Sequence, residues 1–195
     1  MPVAGILLAA GEGSRLGQPK ALVELGGQTL AERGIAMLRD GGADPVLIVT
    51  GAAAVSEVPA TVVHNPAWRD GMGSSLAAGL TALADHDGTS AVVIALADQP
   101  LIGAGAVRRL IAAHRGGATI AVATYDGQPR NPVLISREHW AAVIESARGD
   151  VGARAFLRAH PDLVTGVECR DTGVPDDIDT PDDLRRARAA ISPGR

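Results

Sequence analysis

Leu7-Leu8-Ala9-Ala10-Gly11-Glu12-Gly13-Ser14-Arg15-Leu16-Gly17-Gln18-Pro19-Lys20 carries an apolar run into a glycine-rich turn and on to two cations. The unbroken apolar run over residues 3–9 predicts a first strand buried on both faces, and Gly11 and Gly13 predict a tight loop directly behind it. A strand followed by a glycine loop is how α/β folds present backbone N–H groups to phosphate oxygens. Three phosphate-binding readings start from this arrangement. Gly11, Gly13 and Gly17 nearly match a dinucleotide fingerprint, but the third glycine stands one residue late and Pro19 delays the helix that would hold a pyrophosphate. A Walker A loop requires Gly-Lys-Ser/Thr, whereas Lys20 lies between Pro19 and Ala21. What remains is a loop whose N–H groups surround phosphate, with Arg15 binding bidentately and Lys20 acting as a point charge.

The remaining chain supplies the supports. Hydrophobic residues make up 46% of the 195 residues and aromatics only 2%, so the core must come from Ala, Val, Leu and Ile, which suits parallel strands under helices. The length fits one α/β domain over residues 1–195. Further strands are predicted over 46–49, 61–63, 91–97, 119–123, 133–135 and 163–169, with 91–97 central. Helices are predicted over 28–39, from Leu76 onward with Ser74 or Ser75 as cap, over 107–114 and over 137–147. A last helix begins after Thr180, with Pro181 at its first position and Asp183 two residues on. The polar stretch 125–132 reads as a loop facing a substrate, and Asp150 as the cap of a short helix through Leu157. Cys169, the single cysteine, reads as a buried, inert thiol. A net charge of −4 and four aromatic residues argue against a broad nucleic-acid surface. Neither a basic leader nor a membrane-length apolar run of about 20 residues is present, so a cytoplasmic protein is expected.

Asp98 follows the 91–97 run and so stands at the carboxyl end of a central strand. Asp179 precedes the cap of the last helix and has no capping duty of its own. Phosphate chemistry on an acidic chain calls for Mg²⁺, which takes oxygen ligands and often only one or two carboxylates; Asp98 is the natural first ligand and Asp179 the second. Gly71-Met72-Gly73-Ser74-Ser75 opens a helix whose free N–H groups could meet an anion, and a plain capped turn explains the same residues equally well. The five histidines lack metal-ligand spacing and no Ser-His-Asp order is present, so neither zinc nor a covalent nucleophile is expected.

The stretch from Leu8 to Lys20 resembles the signature loop of nucleotidyltransferases of the molybdenum-cofactor family. Gly71-Met72-Gly73-Ser74-Ser75-Leu76, Ala97-Asp98-Gln99-Pro100, Gly149-Asp150-Val151-Gly152-Ala153-Arg154 and Asp177-Ile178-Asp179-Thr180-Pro181 resemble its later motifs, in order over nearly the whole chain. The resemblance implies a single-domain, Rossmann-like three-layer sandwich with a mostly parallel central sheet. It also implies a nucleotide grip from Leu8, Ala9, Ala10, Gly11, Gly13, Ser14, Arg15 and Lys20 together with Gly71, Gly73, Ser74 and Ser75. Arg15, Lys20 and Asp98 would act in catalysis, and Gln99, Arg130, Asn131, Asp150 and Arg154 would face the acceptor. Ala9-Ala10-Gly11 is more similar to the cytidylyltransferase branch than to the guanylyltransferase branch, which implies transfer of CMP from CTP to the phosphate of molybdopterin with release of pyrophosphate. Arg130-Asn131-Pro132 departs from the branch, which commonly has a glycine and histidine before this proline. The same loop and acids would serve a sugar- or polyol-phosphate cytidylyltransferase or a GTP-using guanylyltransferase; a non-catalytic carrier delivering the cofactor to a partner molybdoenzyme is the alternative of a different class, against which the full set of Arg15, Lys20, Asp98 and Asp179 argues.

Overall fold

Residues 1–191 are described in the computed structural model, so residues 192–195 of the expected domain lie outside the described part. In chain order the strands are β1 (Val3–Leu8), β2 (Glu24–Leu25), β3 (Gln28–Thr29), β4 (Val46–Thr50), β5 (Thr61–His64), β6 (Ala91–Leu96), β7 (Ile120–Tyr125), β8 (Gln128–Ser136) and β9 (Val164–Glu168). The helices are α1 (Leu30–Asp40), α2 (Met72–Ala84), α3 (Ala104–Arg115), α4 (Trp140–Ser146), α5 (Arg154–Ala159) and α6 (Pro181–Ile191). Seven strands form one sheet in the order β5-β4-β1-β6-β8-β7-β9, while β2 and β3 form a small ribbon. β5, β4, β1 and β6 run parallel, β8 is antiparallel to both its neighbours, and β9 runs parallel to β7.

The strand alternation splits the core into two faces. Val3 and Leu7 of β1 pack with Ile35 and Leu38 of α1 and with Val107 and Leu110 of α3. Ala4, Ile6 and Leu8 pack with Leu76, Leu80 and Leu83 of α2, Trp140 and Val143 of α4, and Phe156 of α5. The result is the three-layer α/β sandwich with a mostly parallel sheet. Close contact between layers depends on small residues: a Cβ on Gly34 would stand 2.5 Å from Leu7 Cδ1, so glycine lets α1 settle onto β1. A third cluster, with Leu25, Leu30, Ile178 and Ala187 at its centre, ties α6 to the β2–β3 ribbon.

Both capping boxes form where their sequences occur. Thr29 Oγ1 accepts from the N–H of Glu32 at 3.1 Å while Glu32 accepts from the N–H of Thr29 at 2.7 Å. Thr180 and Asp183 repeat the exchange at α6, with bonds of 3.2 Å and 2.7 Å.

Several boundaries differ from the expected ones. Only Asp126 and Gly127 turn the chain between β7 and β8, both at positive φ, so the expected 125–132 loop is mostly strand. Asp-Gly is a hairpin turn pair, and Pro129 and Pro132 are tolerated because β8 pairs with β6 only from Val133 onward. The predicted 137–147 helix opens as a 3₁₀ turn over Arg137–His139. α2 begins at Met72 behind Gly71, so Ser74 and Ser75 lie inside its first turn and neither caps it. Asp150 does not cap α5, which starts at Arg154; its Oδ1 accepts from the N–H of Met72 at 3.3 Å and so caps α2 across a gap of 78 residues.

Candidate active site

β1 feeds α1 and β4 on one side, and β6 lies on its other side, so the strand order reverses across β1 and β6. Open α/β sheets bind ligands at the carboxyl ends of such strands. A cleft of about 660 Å³ opens there, between the loop after β1, the start of α2 and the end of β6. Leu8, Ala9, Ala10, Gly11, Ser14, Lys20, Gly71, Ser75, Asp98 and Asp150 line it, as expected. Glu12, Trp68, Arg69 and Met72 also line it and were not expected. Gly11 and Glu12 are exposed and make no hydrogen bond to any described residue, which leaves their N–H groups open to an anion.

The other expected grip residues have structural duties. Gly13 has φ +65°, and a Cβ there would strike the carbonyl of Gln18, so its role is to close the turn. Gly73 lets α2 approach Ala147, where a Cβ would come within 2.8 Å of the backbone. Ser74 Oγ accepts from Asn65 Nδ2 at 2.9 Å and donates toward the carbonyls of Ala67 and Gly71. The close approach that Gly71 permits is made by Gly149 and Asp150 of this chain, for a Cβ on Gly71 would strike the Gly149 backbone.

Lys20 and Asp98 line the cleft, and beside it they meet Asp179 and Arg15, which are not among the lining residues. Lys20 Nζ donates to Asp98 Oδ2 at 2.7 Å and also to Asp179 Oδ1, and Arg15 reaches Asp179 Oδ2 at 3.0 Å. The elements explain the convergence. The N–H of Ile178 donates to the carbonyl of Asp98 at 2.7 Å, and buried Ile178 anchors that segment in the third core cluster, so Asp179 is delivered beside Asp98. Gln99 is buried, and its amide donates to Asp177 Oδ1 at 2.8 Å and to the carbonyl of Pro175 at 3.3 Å. It stitches the 175–179 loop to the end of β6.

Burial raises Asp98 above the usual carboxylate range even against the pull of Lys20. Asp179 is lowered, chiefly by its hydrogen bond from Lys20. Desolvation alone would depress the Lys20 ammonium; the two aspartates outweigh it and raise the pKa. Asp98 Oδ1 is enclosed without a hydrogen-bond partner. An orphaned carboxylate oxygen beside a second carboxylate suits a hard divalent cation, although no cluster of three or more His, Cys, Asp or Glu forms a metal cage among the described residues.

Of the expected acceptor residues, Asn131 and Arg154 line a smaller pocket that shares Leu8, Met72 and Leu96 with the main cleft. Arg130 is exposed on β8, its guanidinium on the carbonyl of Pro129. Cys169 is fully buried and burial pushes its thiol up, in keeping with an inert role. Among the described residues no helix is long and apolar enough to cross a membrane.

A glycine loop with open N–H groups, two cations and two carboxylates at a strand-order reversal define a nucleotide-handling α/β enzyme. Residues 5–164 match the MobA-like NTP transferase domain, and the chain belongs to that family of nucleotidyltransferases. It is 38% identical to nicotine blue oxidoreductase of Paenarthrobacter nicotinovorans, over 94% of this chain and 95% of that protein. It is 30% identical to purine catabolism protein PucB of Bacillus subtilis, over 96% and 97%. The Rv0371c homolog from Mycobacterium sp. strain JC1 superposes with a TM-score of 0.81 at 35% identity, over 97% of this chain and 96% of that one. The 2-C-methyl-D-erythritol 4-phosphate cytidylyltransferase of Thermus thermophilus superposes with a TM-score of 0.72 at 25% identity, over 97% and 98%.

Proposed function

We propose that the chain transfers CMP from CTP to the phosphate of molybdopterin and releases pyrophosphate. The observation that carries this reading is the convergence of Lys20, Arg15, Asp98 and Asp179 beside a cleft whose glycine loop has open N–H groups. An acceptor phosphate oxygen bonds to the α-phosphorus of CTP as the bond from that phosphorus to the α–β bridging oxygen breaks. Arg15 and Lys20 neutralise the departing pyrophosphate, and the N–H groups of Gly11 and Glu12 hold phosphate oxygens in line. Asp98 and Asp179 would hold Mg²⁺, which when bound supplies charge neutralisation at the triphosphate. Asn131, Arg154 and Asp150 orient the acceptor, while Gln99 keeps Asp179 in position. Ala10 in the loop favours cytidine, and chemistry that draws on a nucleoside triphosphate belongs in the cytoplasm.

A second reading has support in the superposition on a polyol-phosphate cytidylyltransferase: the same grip would serve a polyol phosphate as acceptor. Both are tested by incubating the protein and Mg²⁺ with CTP, GTP, ATP or UTP against molybdopterin and polyol phosphates, following pyrophosphate. Release with CTP and molybdopterin is expected. Release only with GTP moves the base preference, and release only with polyol phosphates moves the acceptor. No release in any combination, with tight molybdopterin binding, makes the protein a carrier.

A further inference from the structure

Four aromatic side chains other than histidine occur in the chain, and three of them serve the core: Tyr125 is 7% exposed, Trp140 4% and Phe156 4%. Trp68 is the exception. It stands half-buried on the 3₁₀ turn Trp68–Asp70 that leads into α2, on the wall of the cleft. The turn is held firmly: Asn65 Oδ1 accepts from the N–H of Ala67 at 3.0 Å, and the Ser74 hydroxyl donates to the Ala67 carbonyl at 2.8 Å. The foot of the side chain is seated on Gly51, where a Cβ would come within 2.5 Å of Trp68 Cβ, 2.6 Å of its Cγ and 2.9 Å of Ala10 Cβ, so this contact lies at the base of the side chain and not across a ring face. The Arg69 guanidinium covers the ring at 4.3 Å from its centroid. Trp68 and Arg69, with Glu12 and Ser14, also line a second cavity of about 510 Å³ on the far side of the glycine loop. A rigid, partly exposed indole backed by a guanidinium, on the wall shared by two cavities, is a surface on which flat rings stack.

We infer that Trp68 is a stacking platform for a planar heteroaromatic ring of a substrate, positioned by Gly51 and polarised by Arg69. The inference rests on the nucleotidyltransferase reading for its choice of ligand, since both proposed substrates carry such a ring: the cytosine of CTP and the pterin of the acceptor. Ala10 bounds the same space, since a side chain at position 51 would meet both it and Trp68.

Binding read by tryptophan emission tests this without any turnover. Trp140 is buried with its Nε1 hydrogen-bonded to the Ile135 carbonyl, so Trp68 dominates the response to ligands in the cleft. Wild-type, Trp68→Leu and Trp68→Phe proteins are titrated with CTP, with 6-hydroxymethylpterin and with inorganic tripolyphosphate, each with Mg²⁺; calorimetry supplies affinities for all three proteins. Expected is quenching of the wild type by the ringed ligand that stacks and no quenching by tripolyphosphate. Trp68→Leu should bind that ligand about 5- to 100-fold more weakly, Trp68→Phe should recover most of the loss, and tripolyphosphate affinity should stay constant in all three. A response confined to CTP assigns the platform to the nucleobase, and one confined to the pterin assigns it to the acceptor. Equal affinities in wild type and Trp68→Leu, or equal quenching by tripolyphosphate, overturn the platform. Pyrophosphate release is measured separately, so a protein that stacks a ring yet transfers nothing overturns the catalytic reading alone.

Discussion

At the scale of single residues the quartet balances its own charge: Asp98 and Asp179 are matched by Lys20 and Arg15. Lys20 therefore stands where a divalent ion would draw on the same two carboxylates, and competes with it for them. Lys20→Met is expected to lower turnover by about 100- to 1,000-fold, as losing one preorganised charge commonly does. The same substitution should raise nucleotide-free Mn²⁺ affinity about tenfold or more, measured by electron paramagnetic resonance, because the internal competitor is gone. Unchanged Mn²⁺ affinity in a folded Lys20→Met protein would remove the two aspartates from the metal site. Asp98, Asp179 and Lys20 were legible in the sequence because each occupies a position with a topological meaning: a strand end, a helix approach, a loop exit. Their mutual ion pairs were not, since a contact across 159 residues leaves no local trace. Trp68 left only a weak one, an aromatic residue shortly after Asn65-Pro66 in a chain that has few.

Elements bring such residues together, and two contacts between elements bear directly on stability. Gly71 has φ +100° and abuts Gly149, so Gly71→Ala adds both backbone strain and a clash where α2 meets the Gly149–Val151 turn. The expected result is a lower Tm and loss of the 3.3 Å bond from Met72 to Asp150, read as faster amide exchange at Met72. On the opposite face Arg109 of α3 grips Asp171 through two bonds of 2.6 Å and 2.7 Å, which holds the Asp171 carboxyl down to about 2 from its ordinary 3.8. A depressed carboxyl stabilises the fold fully above its unfolded value and loses that contribution as pH falls through its folded value. Wild type should therefore outlast Asp171→Asn in urea at neutral pH, with the gap closing between pH 3.8 and about 2; a gap that persists at pH 2 would assign the difference to something other than ionisation. Element type was readable wherever pattern and caps agreed, as at α1 and α6. Boundaries were misread at β8, where two prolines outweighed the Asp126-Gly127 turn, and at α2, whose cap comes from a different part of the chain.

For the whole molecule, the near-absence of aromatics forces a core of interlocking aliphatic side chains on both sheet faces. Such a core has few large groups to absorb a void. Leu80→Ala, fully buried under β1 and β4, is expected to cost about 2–5 kcal/mol by urea unfolding. The α/β class and the central place of 91–97 followed from the apolar runs. The antiparallel insertion of β8 between β6 and β7 did not, because hydrophobic pattern fixes which strands are buried and says nothing of their order.

The ion pairs beside the cleft join Arg15 and Lys20 to Asp179, at least 159 residues further along the sequence. Completing the electrostatic quartet coincides with docking of α6. Losing the segment from Ile178 onward would therefore take Asp179 out of the quartet together with the Ile178 and Ala187 packing against the β2–β3 ribbon.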